Sequence, residues 1–156
     1  MTGAARVWLE VAHHAAFRAG GWAYVRADGA AVTGAAGGDR RAEAERIALE
    51  GLIAALTAGA GGGPVRLMTT SPLIAALPAR LRAATAGQDA PSENLALWAQ
   101  AATALAGVDV VRVAAAPGTP TAFAASWAEF ARDKAKAGRF TWPIPRPNLA
   151  KAGVGD

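Results

Sequence analysis

Glu10 and Glu45 are the residues of this chain best placed to do chemistry. Glu10 closes a short apolar stretch, Arg6-Val7-Trp8-Leu9-Glu10, that reads as a strand. Glu45 opens an amphipathic helix in which Leu49, Leu52, Ile53 and Leu56 mark one face. Lying one helical turn before Leu49, it shares that inward face. A carboxylate turned toward a core is costly unless it is paired or bound to a cation. Two chemistries follow. Either Glu10 and Glu45 hold a divalent cation, for which carboxylate oxygens are suitable hard ligands, or nearby arginines and backbone donors satisfy them.

His13 and His14 follow the first strand and are within reach of a metal in principle. Adjacent strand residues point to opposite faces, however, so loop or surface histidines are the expectation. Arg40 and Arg41 precede the first helix. There they offer a phosphate contact through side-chain charge and free helix N–H groups, or simply a solvated cap. Trp22, Trp98 and Trp127 fall on apolar faces and are expected in the core, while Trp8 shares its parity with Glu10 and is expected under a helix. Base stacking by these rings would need surface exposure, which the pattern does not support.

The elements that position these residues must come from 156 residues, 53% hydrophobic and 18% charged, which is one packed domain by length and composition. Apolar runs are broken well short of the roughly 20 residues that a membrane span requires. No membrane partner is therefore expected. Without a long apolar segment near the N-terminus, a cytoplasmic location is the simplest expectation. The absence of cysteine excludes disulfides and thiolate metal sites. A net charge of +4, mostly from arginine, permits phosphate binding; a high-GC coding bias produces the same composition.

The first third reads as strands over 7–11, 21–26 and 30–33, with Asp28-Gly29 as a tight hairpin turn. Gly37-Gly38-Asp39-Arg40-Arg41 reads as a loop before the first helix, which should stop at the glycine-rich 59–63. A fourth strand covers 64–68. Ser71-Pro72 then supplies an N-cap and first helical residue, and Pro78 should break or kink that helix near Leu77. After a polar linker over 84–91, a helix carries Leu95, Trp98, Ala102 and Leu105. A fifth strand covers 108–113. Thr119-Pro120 caps a last helix with Phe123, Trp127, Phe130 and Ala131 as its apolar stripe. The spacing predicts an α/β domain over 1–138, a mixed five-stranded sheet whose first three strands are antiparallel, flanked by helices. Residues 139–156 form a basic, proline-containing tail that either packs back through Phe140, Trp142 and Ile144 or docks a partner.

Taken in order, several local patterns resemble the ribonuclease H family over most of the chain. Gly20-Gly21-Trp22-Ala23 resembles the glycine pair opening that family's second strand, and Ala44-Glu45 with Ala48-Leu49 resembles its first helix. Thr69-Thr70-Ser71 is similar to the Thr-Asp-Ser ending its fourth strand. Asn94-Leu95-Ala96-Leu97-Trp98 and Ala128-Glu129-Phe130-Ala131-Arg132 are similar to later helices, and 113–120 to a loop that usually carries a histidine.

The resemblance implies a ribonuclease H-like fold and, for its active members, cleavage of the RNA strand of RNA–DNA hybrids by two magnesium ions clamped on the scissile phosphate. It also implies a set of four carboxylates. Here Glu10 stands for the first and Glu45 for the second, while Thr70 and Ala128 stand where the family has aspartates, and Ala116 where it has the loop histidine. The family's amide side chains before the first helix are replaced by Arg41 and Ala42. Its basic, aromatic hybrid-binding protrusion has no counterpart over 78–93 beyond Arg80 and Arg82. Glu129 and Asp133 point away from the direction of Ala128, and Glu43 from that of Glu45. The expectation is a degenerate, non-catalytic protein that binds nucleic acid, as RNA–DNA hybrid or duplex, or a protein partner. No cofactor is expected; magnesium or manganese at Glu10 and Glu45 belongs to the alternative of a surviving ribonuclease with an altered ligand set. A structural subunit of a larger assembly is the third reading.

Overall fold

The protein, described here by a computed structural model over residues 4–59 and 63–155, is built on one mixed sheet. Strands β1 (Ala5–His14), β2 (Ala19–Asp28) and β3 (Ala31–Arg40) form an antiparallel meander. Strand β4 (Val65–Thr69) lies parallel to β1, and β5 (Val108–Arg112) parallel to β4. Strand β6 (Phe140–Pro143) pairs antiparallel with β3, giving the order β5-β4-β1-β2-β3-β6. The helices are α1 (Ala44–Thr57), α2 (Pro72–Thr85), α3 (Leu95–Ala104), α4 (Pro120–Ala135) and the short α5 (Arg146–Leu149). Among the described residues no helix is long and apolar enough to cross a membrane.

The mixed sheet, its antiparallel meander and its flanking helices are as expected, but the strand count is six, not five. The sixth strand comes from the basic, proline-rich segment. Pro143 is tolerated because it ends an edge strand, where a missing N–H breaks no interior ladder. Strand β3 runs on to Arg40 through glycines that read as a loop. These glycines are sites of close packing: the Trp22 ring lies against Gly37, and the Ala135 methyl is 2.9 Å from where a Gly38 side chain would begin. The β2–β3 turn is Gly29-Ala30, one residue later than expected, since Asp28 pairs with Ala31 and Gly29 takes φ 62°. Helix α2 continues through Pro78, with buried Ile74 and Leu77 anchoring it ahead of the proline. In α3 the buried residues are Trp98 and Ala101, and Leu95 is exposed. Ala60, Gly61 and Gly62 of the expected glycine-rich stop lie outside the described residues.

The two sheet faces are covered differently. On one, Val7, Leu9, Trp22 and Tyr24 pack against Ile47, Leu49 and Leu52 of α1, and α2 and α3 close that layer with Ile74, Leu77 and Trp98. On the other, Ala124, Ala128, Ala131 and Ala135 of α4 form a small-residue stripe pressed onto the meander. Gly20 and Gly21 serve one helix each. A side chain on Gly20 would strike Ile47 of α1, and one on Gly21 would begin 2.5 Å from the Ala128 carbonyl oxygen of α4. Arg26, 2% exposed, closes the C-terminal end of α1 by donating to the carbonyls of Ala55 (3.1 Å) and Leu56 (3.4 Å). Its charge thereby meets the negative end of the helix dipole. As the sequence predicts, Ser71 Oγ caps α2 by accepting from the Ile74 N–H, and Thr119 Oγ1 caps α4 by accepting from the Ala122 N–H.

Candidate functional site

Glu10 reaches the site because β1 and β4 run parallel with Trp8 opposite Met68, which brings Glu10 level with Thr70 just past the end of β4. Its carboxylate is 3% exposed and fully engaged. Thr70 donates twice, from its hydroxyl to Oε1 at 2.6 Å and from its N–H to Oε2 at 2.7 Å. The Thr69 hydroxyl lies 3.4 Å from Oε2 and accepts from the Ser71 N–H at 3.0 Å, tying the start of α2 to the same cluster. Burial pushes the Glu10 carboxyl above its ordinary pKa, and the hydrogen bonds from Thr70 and Thr69 hold part of that rise back.

Ala128 belongs to the same face. Glu10 is paired across the ladder with Ala23, and Ala23 packs against Ala128, which is wholly buried. The position that resembles an aspartate site therefore lies within the close contact between α4 and the sheet. Ala116 is exposed in the loop before α4, where its carbonyl accepts from the Thr119 hydroxyl at 2.6 Å.

Glu45 belongs to α1, on the opposite face of the sheet from Glu10. Arg80 of α2 meets it at 2.5 Å between Nη1 and Oε1. The same guanidinium sits over the Trp98 ring of α3, 4.7 Å from its centre, so one arginine joins three helices. Nothing local in the sequence marks Arg80 for this role. Its partner is 35 positions away, a separation no local pattern reveals.

His13 and His14 are strand residues, both half-buried. His13 Nε2 lies 2.7 Å from the Ala42 carbonyl, and His14 packs against Phe17 at 4.7 Å between ring centres. Arg40 ends β3 instead of opening the helix; its N–H donates to Asp39 Oδ1 at 2.8 Å. Arg41 follows with φ 57°, and α1 starts only after Glu43. Both arginine side chains are exposed, next to the β1–β2 turn that carries Phe17 and Arg18. Glu129 and Asp133 are exposed, and Glu43 pairs with Arg18 at 2.7 Å.

A second ionic cluster lies between α1, β3 and the segment before β6. The largely buried Glu50 of α1 lies 3.3 Å from Arg139 and 3.7 Å from Arg46, and Asp39 meets the same two arginines. Burial raises the Glu50 pKa against the pull of Arg139 and Arg46. Among the described residues, no three His, Asp or Glu side chains gather in a way that could hold a metal ion.

No family profile matches this sequence, and comparison with curated proteins gives no significant match. Solved structures do match. The N-terminal RNase H domain of a Mycobacterium tuberculosis protein, solved as a fusion with maltose-binding protein, superposes with a TM-score of 0.62 at 19% identity, covering 86% of this chain and 98% of that one. A type 1 RNase H bearing the type 2 active-site motif gives 0.62 at 18% identity, over 99% of this chain and 87% of its own. RNase H1 of the halophilic archaeon Halobacterium salinarum gives 0.58 at 23% identity, over 85% and 99%. With the strand order and helix placement described above, these likenesses establish that the chain has the ribonuclease H-like fold.

Proposed function

We propose that this protein is a non-catalytic member of the ribonuclease H-like fold that binds nucleic acid through its Arg40–Arg41 face. The observation that carries the reading is that both retained carboxylates already have partners within the chain. Glu10 accepts from Thr70 at both oxygens, and Glu45 is paired with Arg80. Two-metal phosphodiester hydrolysis needs several carboxylate oxygens free to bridge two cations about 4 Å apart. Here Thr70 offers a hydroxyl already donated to Glu10, Ala128 offers no donor, and Arg80 sets a fixed positive charge beside Glu45. This donor set does not fit a pair of magnesium ions.

Binding has separate support. Arg40 and Arg41 are exposed beside the β1–β2 turn, and the relatives by structure are RNase H domains, together with a foamy viral protease–reverse transcriptase solved in complex with double-stranded DNA. Such a contact is electrostatic and should weaken steeply with salt.

The decisive experiment incubates labelled RNA–DNA hybrid with the protein in magnesium and in manganese, with binding followed in parallel. No cleavage, together with salt-sensitive binding that weakens further in the Arg40→Ala/Arg41→Ala variant, is the expected result. Cleavage that is lost in Glu45→Ala would replace this reading with a ribonuclease using an altered ligand set. Absence of both cleavage and binding, with one protein co-purifying, would point to a protein partner or a place in a larger assembly.

A further inference from the structure

Phe17 is the most exposed large apolar side chain of the described residues, at 61%. It occupies the β1–β2 turn, where an unsupported aromatic ring gains nothing from folding. This ring is nevertheless held in place. Lys136, the C-cap of α4, lies 4.6 Å from its centre, and His14 packs on it from β1 at 4.7 Å. The turn beneath is fastened to the segment before α1 by the Ala42 N–H donating to the Arg18 carbonyl at 3.0 Å and by the contact of His13 with the Ala42 carbonyl. Phe17 is thus an oriented ring with open surface.

Its surroundings are basic. Three segments converge at this end of the sheet: the turn with Arg18, the end of β3 with Arg40 and the following Arg41, and the C-terminal end of α4 with Arg132 and the C-cap Lys136. Glu43 pairs with Arg18, and Asp133 with Arg132 and Lys136. Among the described residues no carboxylate forms an ion pair with the Arg40 or Arg41 side chain; both are exposed, and Arg40 is the ladder partner of Ala19, two residues from Phe17.

A ring left 61% exposed beside cationic side chains, with the Lys136 ammonium over it as the contact a base would have to displace, matches what an unpaired nucleotide presents, a base with a π face linked to phosphates. A duplex buries its base faces in its own stack and offers Phe17 none. We propose that the β1–β2 turn is a contact for single-stranded nucleic acid, with Phe17 as the stacking platform and Arg40 and Arg41 as contacts to the flanking phosphates. This rests on the nucleic-acid reading above and adds to it a preference for unpaired strands and a residue that sets the preference.

The test measures fluorescence anisotropy of a fluorescein-labelled oligodeoxythymidylate and, separately, of a labelled RNA–DNA hybrid, at fixed salt. Phe17→Ala should weaken single-strand binding roughly ten-fold, in keeping with the loss of one base–aromatic stack, and leave hybrid binding nearly unchanged. Phe17→Trp should retain single-strand binding, and Arg40→Ala/Arg41→Ala should weaken both ligands. An unchanged circular dichroism melt for Phe17→Ala, as expected of an exposed side chain, makes the loss one of contact. Single-strand binding indifferent to Phe17→Ala, or an equal loss for both ligands, would overturn the stacking proposal and leave the wider nucleic-acid reading standing. Failure of wild-type protein to bind either ligand would overturn both.

Discussion

Thr70 holds the Glu10 carboxylate at both oxygens, through its hydroxyl at 2.6 Å and its backbone N–H at 2.7 Å. A residue with no negative charge thus occupies the end of β4 and donates to the carboxylate on β1. Removing only the hydroxyl isolates its contribution. Thr70→Val keeps the shape and the backbone donor but leaves one oxygen of a buried carboxylate without its partner. Hydrogen bonds to charged groups carry about 2 kcal/mol, so chemical denaturation should show a loss of about that size, with Thr70→Ser recovering most of it. A loss no larger than experimental scatter would mean that water replaces the hydroxyl and that Glu10 is not enclosed.

The Glu45–Arg80 pair makes a contrasting prediction. Its side chains are 28% and 41% exposed, so solvent screens the attraction in spite of the short contact. A double-mutant cycle with Glu45→Gln and Arg80→Met should give a coupling of about 0.5–1 kcal/mol. Arg80→Met should cost more than this coupling, because the stacking on Trp98 is lost as well. Equal costs for Arg80→Met in the wild-type and Glu45→Gln backgrounds would show that the ion pair contributes nothing.

These two environments explain how far the sequence could be read. Helix spacing turns Glu45 toward the core and calls for a partner; the structure leaves it 28% exposed and paired with Arg80. Glu10's partners were within reach of the reading because Thr69-Thr70-Ser71 falls at the end of a recognisable strand. Arg80 was not, since its link to Glu45 depends on how α2 lies across α1. The long β3 was hidden because Gly34, Gly37 and Gly38 resemble a loop in composition, yet they serve the close approach of Leu149, Trp22 and α4. Strand β6 was hidden by prolines and charge. In α4 the aromatic residues stood out as the inward stripe, whereas the alanines are what the sheet accepts, and Phe130 is left exposed. A lone aromatic in a turn, such as Phe17, carries no period and so no signal in the sequence.

Burial of Glu10 and Glu50 gives the protein a distinctive pH response. Both carboxyls are raised above the ordinary value of 4.5, chiefly by desolvation. Between that value and the raised ones the folded state binds more protons than the unfolded chain, so stability falls as pH rises through this window. Acidification from neutral pH toward 4.5 should therefore raise the melting temperature. Glu10→Gln and Glu50→Gln should each flatten the profile, and the double variant more than either. A melting temperature that falls steadily across this range, with the same slope in wild type and double variant, would show that neither group titrates as its burial demands.

The close seating of α4 on the sheet is open to an equally direct test, because two glycines offer the same chemical change in opposite surroundings. A side chain on Gly21 would begin 2.5 Å from the Ala128 carbonyl oxygen and 2.7 Å from the Ala131 carbonyl carbon, both backbone atoms that cannot rotate aside. Gly63, with nothing among the described residues within 4 Å of where its side chain would begin, has room. Gly63→Ala should be neutral or slightly stabilising, since it lowers the entropy of the unfolded chain. Gly21→Ala must lift α4 and open the contacts of Ala128 and Ala131 with Ala23 and Ala36, an overpacking that should cost about 3 kcal/mol. Because Ala23 is also the ladder partner of Glu10, the displacement should reach the buried carboxylate, and Thr70→Val should cost less in the Gly21→Ala background than in the wild type. Strict additivity of the two substitutions would separate the seating of α4 from the enclosure of Glu10, and equal melting temperatures for Gly21→Ala and Gly63→Ala would refute the close seating itself.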